Sequence, residues 1–333
     1  MLELMATCCP GLEDVLADEV AERLGAAARA ARGQVRWAGE VPGALALRCA
    51  DNLYAIIGEV PAGPHRADLP ALGRALAALP VAEVCEAVGV VLAGRLHVSA
   101  SRTGRHSYSR FEAADAARGA LCAVLGLLPG TPDDHDVALR LALEGDRALL
   151  SLKLTDAAFR FRGERVFAAA AIRPTIAHAM VRLTVPGPAD VFLDPFCGSG
   201  TLLAERLTLP HGAVLGGDKD GDTLAVAARN TGGQAALAQW DARALPLADA
   251  SVDAIATNPP WGRQIAVEDS AALYHAFLGE ALRVLRPGGR LVILTDRTDD
   301  LGAAAQAWGL ALPAPRMVSL HGTLCGLWAA AKG

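Results

Sequence analysis

Apolar residues at Leu12, Val15, Leu16, Val20 and Leu24 follow the three-and-four spacing of one helix face, so an amphipathic helix is predicted near the start of the chain. Short strand-like runs at residues 2–7, 34–37 and 44–48 flank it, and together they suggest a small α+β unit. Further on, Arg95-Leu96-His97-Val98-Ser99-Ala100-Ser101-Arg102 reads as a strand followed by a polar turn. Ser109-Arg110-Phe111-Glu112 is a capping box and predicts the helix that comes next. Alternation at Val137, Leu139, Leu141 and Leu143, a Glu144-Gly145-Asp146 turn, and a second apolar run at 149–154 predict a hairpin. Beyond residue 186 strand and helix patterns alternate, with strands expected near 189–194, 213–218, 235–239, 252–257 and 290–295. That order predicts a doubly wound parallel sheet, closed by an antiparallel hairpin near 310–330.

Pro61-Ala62-Gly63-Pro64 and Pro186-Gly187-Pro188 look like joints, and a chain of 333 residues has room for two or three domains. With 52% hydrophobic residues it can bury substantial cores. The net charge of −5 gives no global basic field. Its distribution is uneven: residues 1–94 carry 7 basic and 12 acidic side chains, 95–182 carry 13 and 9, and 183–333 carry 11 and 15. A basic middle fits an RNA or phosphate footprint, and equally fits ordinary surface variation. Seven cysteines with no C-x-x-C spacing read as buried thiols in a reducing cytoplasm rather than disulfides or zinc ligands. The first residues lack the basic start of a signal peptide, and the apolar run at 120–128 is too short to span a bilayer.

The densest chemical signal is Asn258-Pro259-Pro260-Trp261, placed directly after the apolar strand at 252–257. Two prolines remove two backbone donors and fix two φ angles, while the residue before them is pushed towards an extended conformation. The product is a stiff turn with free carbonyls and an aromatic ring at its end, suited to gripping a planar amino group. Upstream, the first strand of the sheet runs into Asp194-Pro195-Phe196-Cys197-Gly198-Ser199-Gly200-Thr201 and then a helix. Small residues there let backbone approach a ligand at the C-terminal edge of the sheet. A glycine-rich turn does not by itself separate a nicotinamide cofactor from S-adenosylmethionine. Asp218, with Lys219 beside it, ends the second strand 24 residues after Asp194. There a carboxylate can accept from ribose hydroxyls or cap the following helix, a task Asp220 can also perform. Asp241, in Gln239-Trp240-Asp241-Ala242, is placed to accept from an adenine amino group or to act as another cap.

These four strand ends resemble the class I S-adenosylmethionine-dependent methyltransferases, in particular the branch that methylates exocyclic amino nitrogens. The resemblance covers nearly all of residues 186–333. It implies that Asp194 and the loop of Pro195, Phe196, Cys197, Gly198, Ser199, Gly200 and Thr201 hold the methionine end of the cofactor. Asp218 with Lys219 takes the ribose, Asp241 with Ala242 takes the adenine edge, and Asn258 borders the same site. An exocyclic amine on a heteroaromatic ring is a poor nucleophile. Acceptors on both its hydrogens, Asn258 Oδ1 and the Pro259 carbonyl, draw it towards a tetrahedral geometry, and Pro260 stiffens the turn. Trp261 is the expected stacking partner for the target ring.

The motif leaves the target open among adenine N6, guanine or cytosine amino groups and a glutamine amide. The stretch from Leu96 to Ser109, with its capped helix and hairpin, resembles the RNA-binding THUMP domain. Ala6-Thr7-Cys8-Cys9-Pro10-Gly11-Leu12-Glu13 resembles the ferredoxin-like domain that often precedes it. This order implies a THUMP-class RNA methyltransferase acting on guanine N2 of tRNA, with the acceptor stem and position six favoured. A 23S rRNA guanine-N2 enzyme is the near alternative. A DNA adenine-N6 or protein glutamine methyltransferase, or a non-catalytic RNA-binding protein, is more distant. The division expected is 1–60 ferredoxin-like, 61–156 THUMP, 157–185 linker and 186–333 Rossmann-like methyltransferase. Candidate RNA contacts are Arg102, Arg105, His106 and Arg110 around the polar turn, and Arg160, Arg162, Arg165 and Arg173 in the linker, since arginine forks suit phosphates. A cytoplasmic monomer without metal or membrane attachment completes the expectation.

Overall fold

The chain forms two sheets joined by a helical connection, seen in a computed structural model that describes residues 1–163, 165–166, 171–261, 269–320 and 322–333. Part of the predicted linker, 164 and 167–170, falls outside those residues. The first sheet is built from β1 (Leu2–Thr7), β2 (Arg29–Ala31), β3 (Gln34–Gly39), β4 (Asn52–Pro61), β5 (Arg95–Thr103), β6 (Leu128–Pro129), β7 (Val137–Glu144) and β8 (Arg147–Lys153). Their order is β2-β3-β1-β4-β8-β7-β5-β6. Strand β4 pairs with β1 (Leu4 opposite Ala55) and with β8 (Ala55 opposite Leu152), so one sheet continues across the Pro61–Pro64 cluster.

Helices α1 (Glu13–Leu24), α3 (Leu69–Ala77), α4 (Val81–Ala87) and α5 (Arg110–Leu125) bury apolar sides on one face of this sheet. α5 begins as the capping box requires: Ser109 Oγ accepts from the Glu112 amide at 3.2 Å, and Glu112 accepts from the Ser109 amide at 2.9 Å. The strand expected at 44–48 does not form. Pro42 and Gly43 instead turn the chain into the single helical turn α2 (Val41–Ala44). The carbonyls of Leu47, Arg48 and Ala50 accept from the Arg162 guanidinium rather than from a ladder.

The second sheet contains β9 (Phe192–Asp194), β10 (Val214–Asp218), β11 (Ala236–Gln239), β12 (Val252–Thr257), β13 (Leu285–Thr295), β14 (Arg316–Leu320) and β15 (Thr323–Ala331), ordered β11-β10-β9-β12-β13-β15-β14. The first five of these strands run parallel, and β15 and β14 close the sheet antiparallel. Alternation along β12 and β13 explains its two covered faces. Ala254, Ala256, Val292 and Leu294 join one core, and Ile255, Leu291 and Ile293 join another with Tyr274 and Phe277. Strand order reverses between β9 and β12, the point at whose carboxyl ends open α/β sheets form their ligand crevice. Around the sheet lie α8 (Thr201–Arg206), α9 (Gly221–Asn230), α10 (Ser270–Val284) and α11 (Thr298–Ala307), with α6 (Ala157–Phe161) and α7 (Pro174–Leu183) leading in. No described helix is long and apolar enough to cross a membrane.

The two halves meet through buried charge. Glu205 on α8 is fully buried and accepts from Arg48 Nε (2.8 Å), Arg48 Nη2 (2.9 Å) and Arg165 Nη1 (2.7 Å), with His178 Nδ1 at 3.1 Å. Burial alone would raise the pKa of Glu205, but hydrogen bonds from His178 and Arg48 outweigh it and hold the carboxyl well below the ordinary range. Glu19, equally buried, accepts from the Arg48 and Cys49 amides at 2.8 Å each. Nearby, Asp51 binds Arg173 at 2.9 Å and Thr175 at 2.7 Å.

Candidate active site

The crevice between β9 and β12 is framed by acidic and amide side chains at successive strand ends. Asp194, 1% exposed, closes β9. Its Oδ1 accepts from Thr257 Oγ1 at 2.8 Å and from the Phe196 amide at 3.2 Å. The first of these bonds fastens the end of β9 to the end of β12. Burial raises the Asp194 pKa to about 7, against the pull of the Thr257 and Phe196 hydrogen bonds, because a carboxylate sealed from water favours its neutral form.

The loop beyond Asp194 turns through two left-handed glycines, Gly198 at φ 50° and Gly200 at φ 77°. A methyl on Gly200 would press on Ala227 of α9 at 3.0 Å. One on Gly198 would enter open space with no described atom within 4 Å. Between them, the Ser199 hydroxyl is buried without a hydrogen-bond partner among the described residues, while its carbonyl accepts from Asn230 Nδ2 at 2.8 Å. The Gly198 amide donates to Asp218 Oδ2 at 3.0 Å, so the second strand end supports the loop of the first. Asp220 caps α9 by accepting from the Asp222 amide at 2.9 Å, which leaves Asp218 free of that task. Cys197 is buried, and burial pushes its thiol far above the ordinary range, so it is an inert packing residue.

Asp241 lies two residues past the end of β11 rather than on it. Arg243 grips it with Nε at 3.0 Å and Nη2 at 2.7 Å, and Lys219 Nζ stands at 3.0 Å. The Arg243 hydrogen bonds hold its carboxyl well below the usual range. Such a carboxylate can still accept a hydrogen bond but is no base. Ala242 beside it is buried. Trp240 fills the space over Gly217 and directs Nε1 to the Pro195 carbonyl at 3.3 Å.

At the end of β12, Asn258 Oδ1 is buried and has no hydrogen-bond partner among the described residues. Pro259 is buried and Pro260 and Trp261 are half-buried. The Trp261 carbonyl accepts from Arg297 Nε at 2.7 Å, which anchors the far side of the turn. Thr257, Asn230 and Arg297 were not anticipated from sequence. Only Thr257 carried a readable sign, as the last strand residue before the diproline turn.

The candidate RNA contacts divide. Arg105 is exposed, and Arg110 is exposed with its guanidinium 4.8 Å from the centre of the exposed Phe111 ring. Arg102 donates to the carbonyls of His106 and Tyr108. His106 Nε2 lies 2.8 Å from the Gly145 carbonyl, clamping the turn to the β7–β8 hairpin. In the linker, by contrast, Arg165 is spent on Glu205, Arg173 on Asp51, and Arg162 on the 47–50 carbonyls. Burial, then the neighbouring Arg48 charge, lowers the Arg162 pKa to about 10. Arg160 stacks on Phe161, 5.0 Å from its ring centre, with Nε shielded. Arg165 and Arg173 thus serve the joint between the halves, because their acidic partners lie far away in sequence and close in space.

Comparison with known proteins matches residues 162–324 to the family described as RMKL-like, methyltransferase domain, and residues 3–52 to the RlmL ferredoxin-like domain. The tRNA (guanine(6)-N2)-methyltransferase of Thermus thermophilus is 34% identical over 338 residues, covering 96% of each chain. The chain belongs to the tRNA guanine-N2 methyltransferase family. Among other family members, the mouse tRNA (guanine(6)-N(2))-methyltransferase THUMP3 is 31% identical over 60% of this chain, a match that spans 44% of the mouse protein. The crystal structure of TrmN from Thermus thermophilus superposes with a TM-score of 0.84 at 32% identity over the whole of both chains. The structure of SMU.472 with SAH superposes at 0.81 over 100% of this chain and 98% of the other, and at 20% identity it bears on the fold alone. The expected α/β architecture, with a Rossmann-like methyltransferase sheet behind a ferredoxin-like start, is therefore the one this family member has.

Proposed function

We propose that this chain transfers a methyl group from S-adenosylmethionine to N2 of a guanosine in tRNA, at position six of the acceptor stem. One observation carries the reading: Asn258 presents a buried side-chain oxygen with no partner among the described residues, on a diproline turn tied through Thr257 to Asp194. Leaving such an acceptor unpaired costs roughly 1–3 kcal/mol. An amino group entering the turn removes that penalty. The Pro259 carbonyl accepts the second N–H, and proline suits the role because it keeps its carbonyl and has no competing backbone donor.

The residues present fit the methyl donor. Gly198 leaves room for close backbone approach, and the buried Ser199 hydroxyl, without a partner among the described residues, supplies a polar group to the same loop. Asp194 with the loop from Pro195 to Thr201 would hold the methionine end, Asp218 with Lys219 the ribose, and Asp241 with Ala242 the adenine edge. Bound there, the cofactor supplies an electrophilic methyl group on a sulfonium. Asn258 and Pro259 orient the amine lone pair, and Trp261 supports the target base from the side that Arg297 anchors. Alignment supplies most of the acceleration. No strong base is required, because the amine sheds its proton to solvent as its bond to carbon forms.

Residues 1–60 and 61–156 then act as the ferredoxin-like and THUMP parts of an RNA-binding half, joined by 157–185 to the catalytic part at 186–333. Arg102, Arg105 and Arg110 are retained as RNA contacts. Seven free cysteines support a reducing, cytoplasmic setting, and a monomer suffices for the site described. Incubation with labelled methyl donor and bulk tRNA, rRNA or DNA, followed by nucleoside digestion, tests the substrate. N2-methylguanosine from tRNA is the expected product, and label confined to rRNA or DNA overturns the assignment. Asn258→Ala should lower kcat by about 10²–10³, the scale for one preorganised transition-state partner, with cofactor affinity kept. Near-normal turnover would remove Asn258 from the mechanism.

A further inference from the structure

The helices of the first half all bury their apolar sides against one face of the eight-stranded sheet. The opposite face carries a separate small cluster made only of strand residues: Met5, Tyr54, Ala142 and Leu149, with Ile56 beside them. Across that face runs a registered row. Arg29 on β2 faces Arg36 on β3, Arg36 faces Met5 on β1, Met5 faces Tyr54 on β4, and Tyr54 faces Lys153 on β8. Arg140 on the next strand, β7, extends its guanidinium to 5.3 Å from the Tyr54 ring centre.

Among the described residues, Arg29, Arg36, Arg140 and Lys153 have no carboxylate partner. Other arginines of the same half do: Arg66 with Glu112, Arg95 with Asp134, Arg118 with Asp115 and Arg147 with Glu59. Like charges directly opposite one another, as at Arg29 and Arg36, destabilise a sheet. The exposed carboxylate of Glu3 sits one row away, opposite Ala38, and forms no ion pair with them among the described residues. From β2 to β7 the row crosses five strand spacings, about 24 Å.

Its position matters as much as its charge. Tyr54 is three residues from Asp51, which binds Arg173 and Thr175 at the joint to the catalytic half; three residues of strand span about 10 Å. The Arg102–Arg110 turn, held to Gly145 through His106, lies at the other end of β8, about 20 Å from Lys153.

We infer that the phosphate backbone of the RNA substrate lies across this open sheet face, on Arg29, Arg36, Arg140 and Lys153, and runs from there towards the catalytic crevice. The inference rests on the RNA-methylating reading above. Arginine forks bind phosphate oxygens in pairs, and such contacts set register without reading sequence. Tyr54 and Met5 give the cations a rigid apolar floor.

The test compares Arg36→Gln/Arg140→Gln/Lys153→Gln with Arg36→Gln/Lys153→Gln, which leaves Arg140 over Tyr54. Arg74→Gln on α3, exposed on the helical side, is the control. The slope of log affinity for tRNA against log salt is measured between about 50 and 200 mM, with S-adenosylmethionine affinity as the check on folding. Each lost phosphate contact should flatten the slope by about 0.7–0.9. The triple variant should lose about 2–3 units of slope, the double about 1.5, and the control none. At about 100 mM salt, tRNA affinity of the triple variant should fall at least tenfold while cofactor affinity holds. If wild-type protein binds and methylates tRNA but the double variant keeps the full slope, the functional reading stands and this surface is excluded. A wild-type protein without salt-dependent RNA binding overturns both.

Discussion

Replacing Glu205 with glutamine should destabilise the protein by about 3–5 kcal/mol, the usual consequence of removing one partner from a buried ion pair. The side chain has no solvent exposure and receives donors from Arg48 at 2.8 and 2.9 Å, Arg165 at 2.7 Å and His178 at 3.1 Å. Glutamine keeps one acceptor and turns the other into a donor facing guanidinium groups. Arg48 and Arg165 are 22% and 16% exposed at their side chains, so water relieves part of the mismatch and the lower end of the range applies. Unfolding entropy of about 2.1 cal/mol/K per residue gives ~0.7 kcal/mol/K for this chain, so the lower-end cost of about 3 kcal/mol should drop Tm by roughly 4 °C. The depressed pKa of Glu205 adds a pH signature. Its stabilisation is complete above the unfolded carboxyl value of 4.5 and fades as pH falls below it. Calorimetry of both proteins at pH 7 and at about pH 3.5 should show a gap that narrows in acid. A gap under about 1 °C at pH 7, or one independent of pH, would refute the view that this carboxylate ties the halves together.

Three further outcomes are expected. Because burial raises Asp194 to about 7, the free protein is most stable towards this group below pH 4 and loses that contribution as pH rises through 7; an ammonium placed beside it should expel its proton, so calorimetric titration with S-adenosylmethionine near pH 6 should release close to one proton, and Asp194→Asn should release none. Gly198→Ala should cost about 1–2 kcal/mol for an L-residue held at φ 50° and weaken cofactor affinity more than Gly200→Ser weakens it per unit of lost Tm, since only the methyl at 198 points into open space; equal ratios would place the ligand elsewhere. Trp261→Ala should raise KM for RNA by about tenfold, near the lower part of the 1–3 kcal/mol range for base stacking, whereas unchanged steady-state kinetics would make that ring simple packing.

The second sheet was readable because its candidate residues sit at strand ends, and strand ends are where an apolar run meets a polar or glycine-rich turn. Asp194 and Asp218 do close β9 and β10, and Asn258 does follow β12, as that local grammar placed them. Asp241 lies two residues beyond β11: the Trp240 amide still donates to the Asp218 carbonyl at 3.1 Å while its ring covers Gly217. Long-range pairing was invisible. Nothing near Pro61 announces that β4 continues into a ladder with β8 some ninety residues on. The linker arginines read as a basic patch for the same reason: Arg173 meets Asp51 across 122 positions and Arg165 meets Glu205 across 40. The open-face row is equally hidden, since its members come from β2, β3, β7 and β8 and gather only when the sheet forms.

The bond between Arg48 and Glu205 joins positions 157 apart, and this limits how the protein can be recombined. A chimera that takes its first half from one relative and its second from another severs this ion pair at the seam. Crossover points must therefore keep Glu19, Arg48, Arg165, His178 and Glu205 as one inherited set, since Glu19 also satisfies two backbone amides that no apolar residue can. Substitutions that exchange part of the chain are therefore best confined within one half, where this five-residue set stays intact.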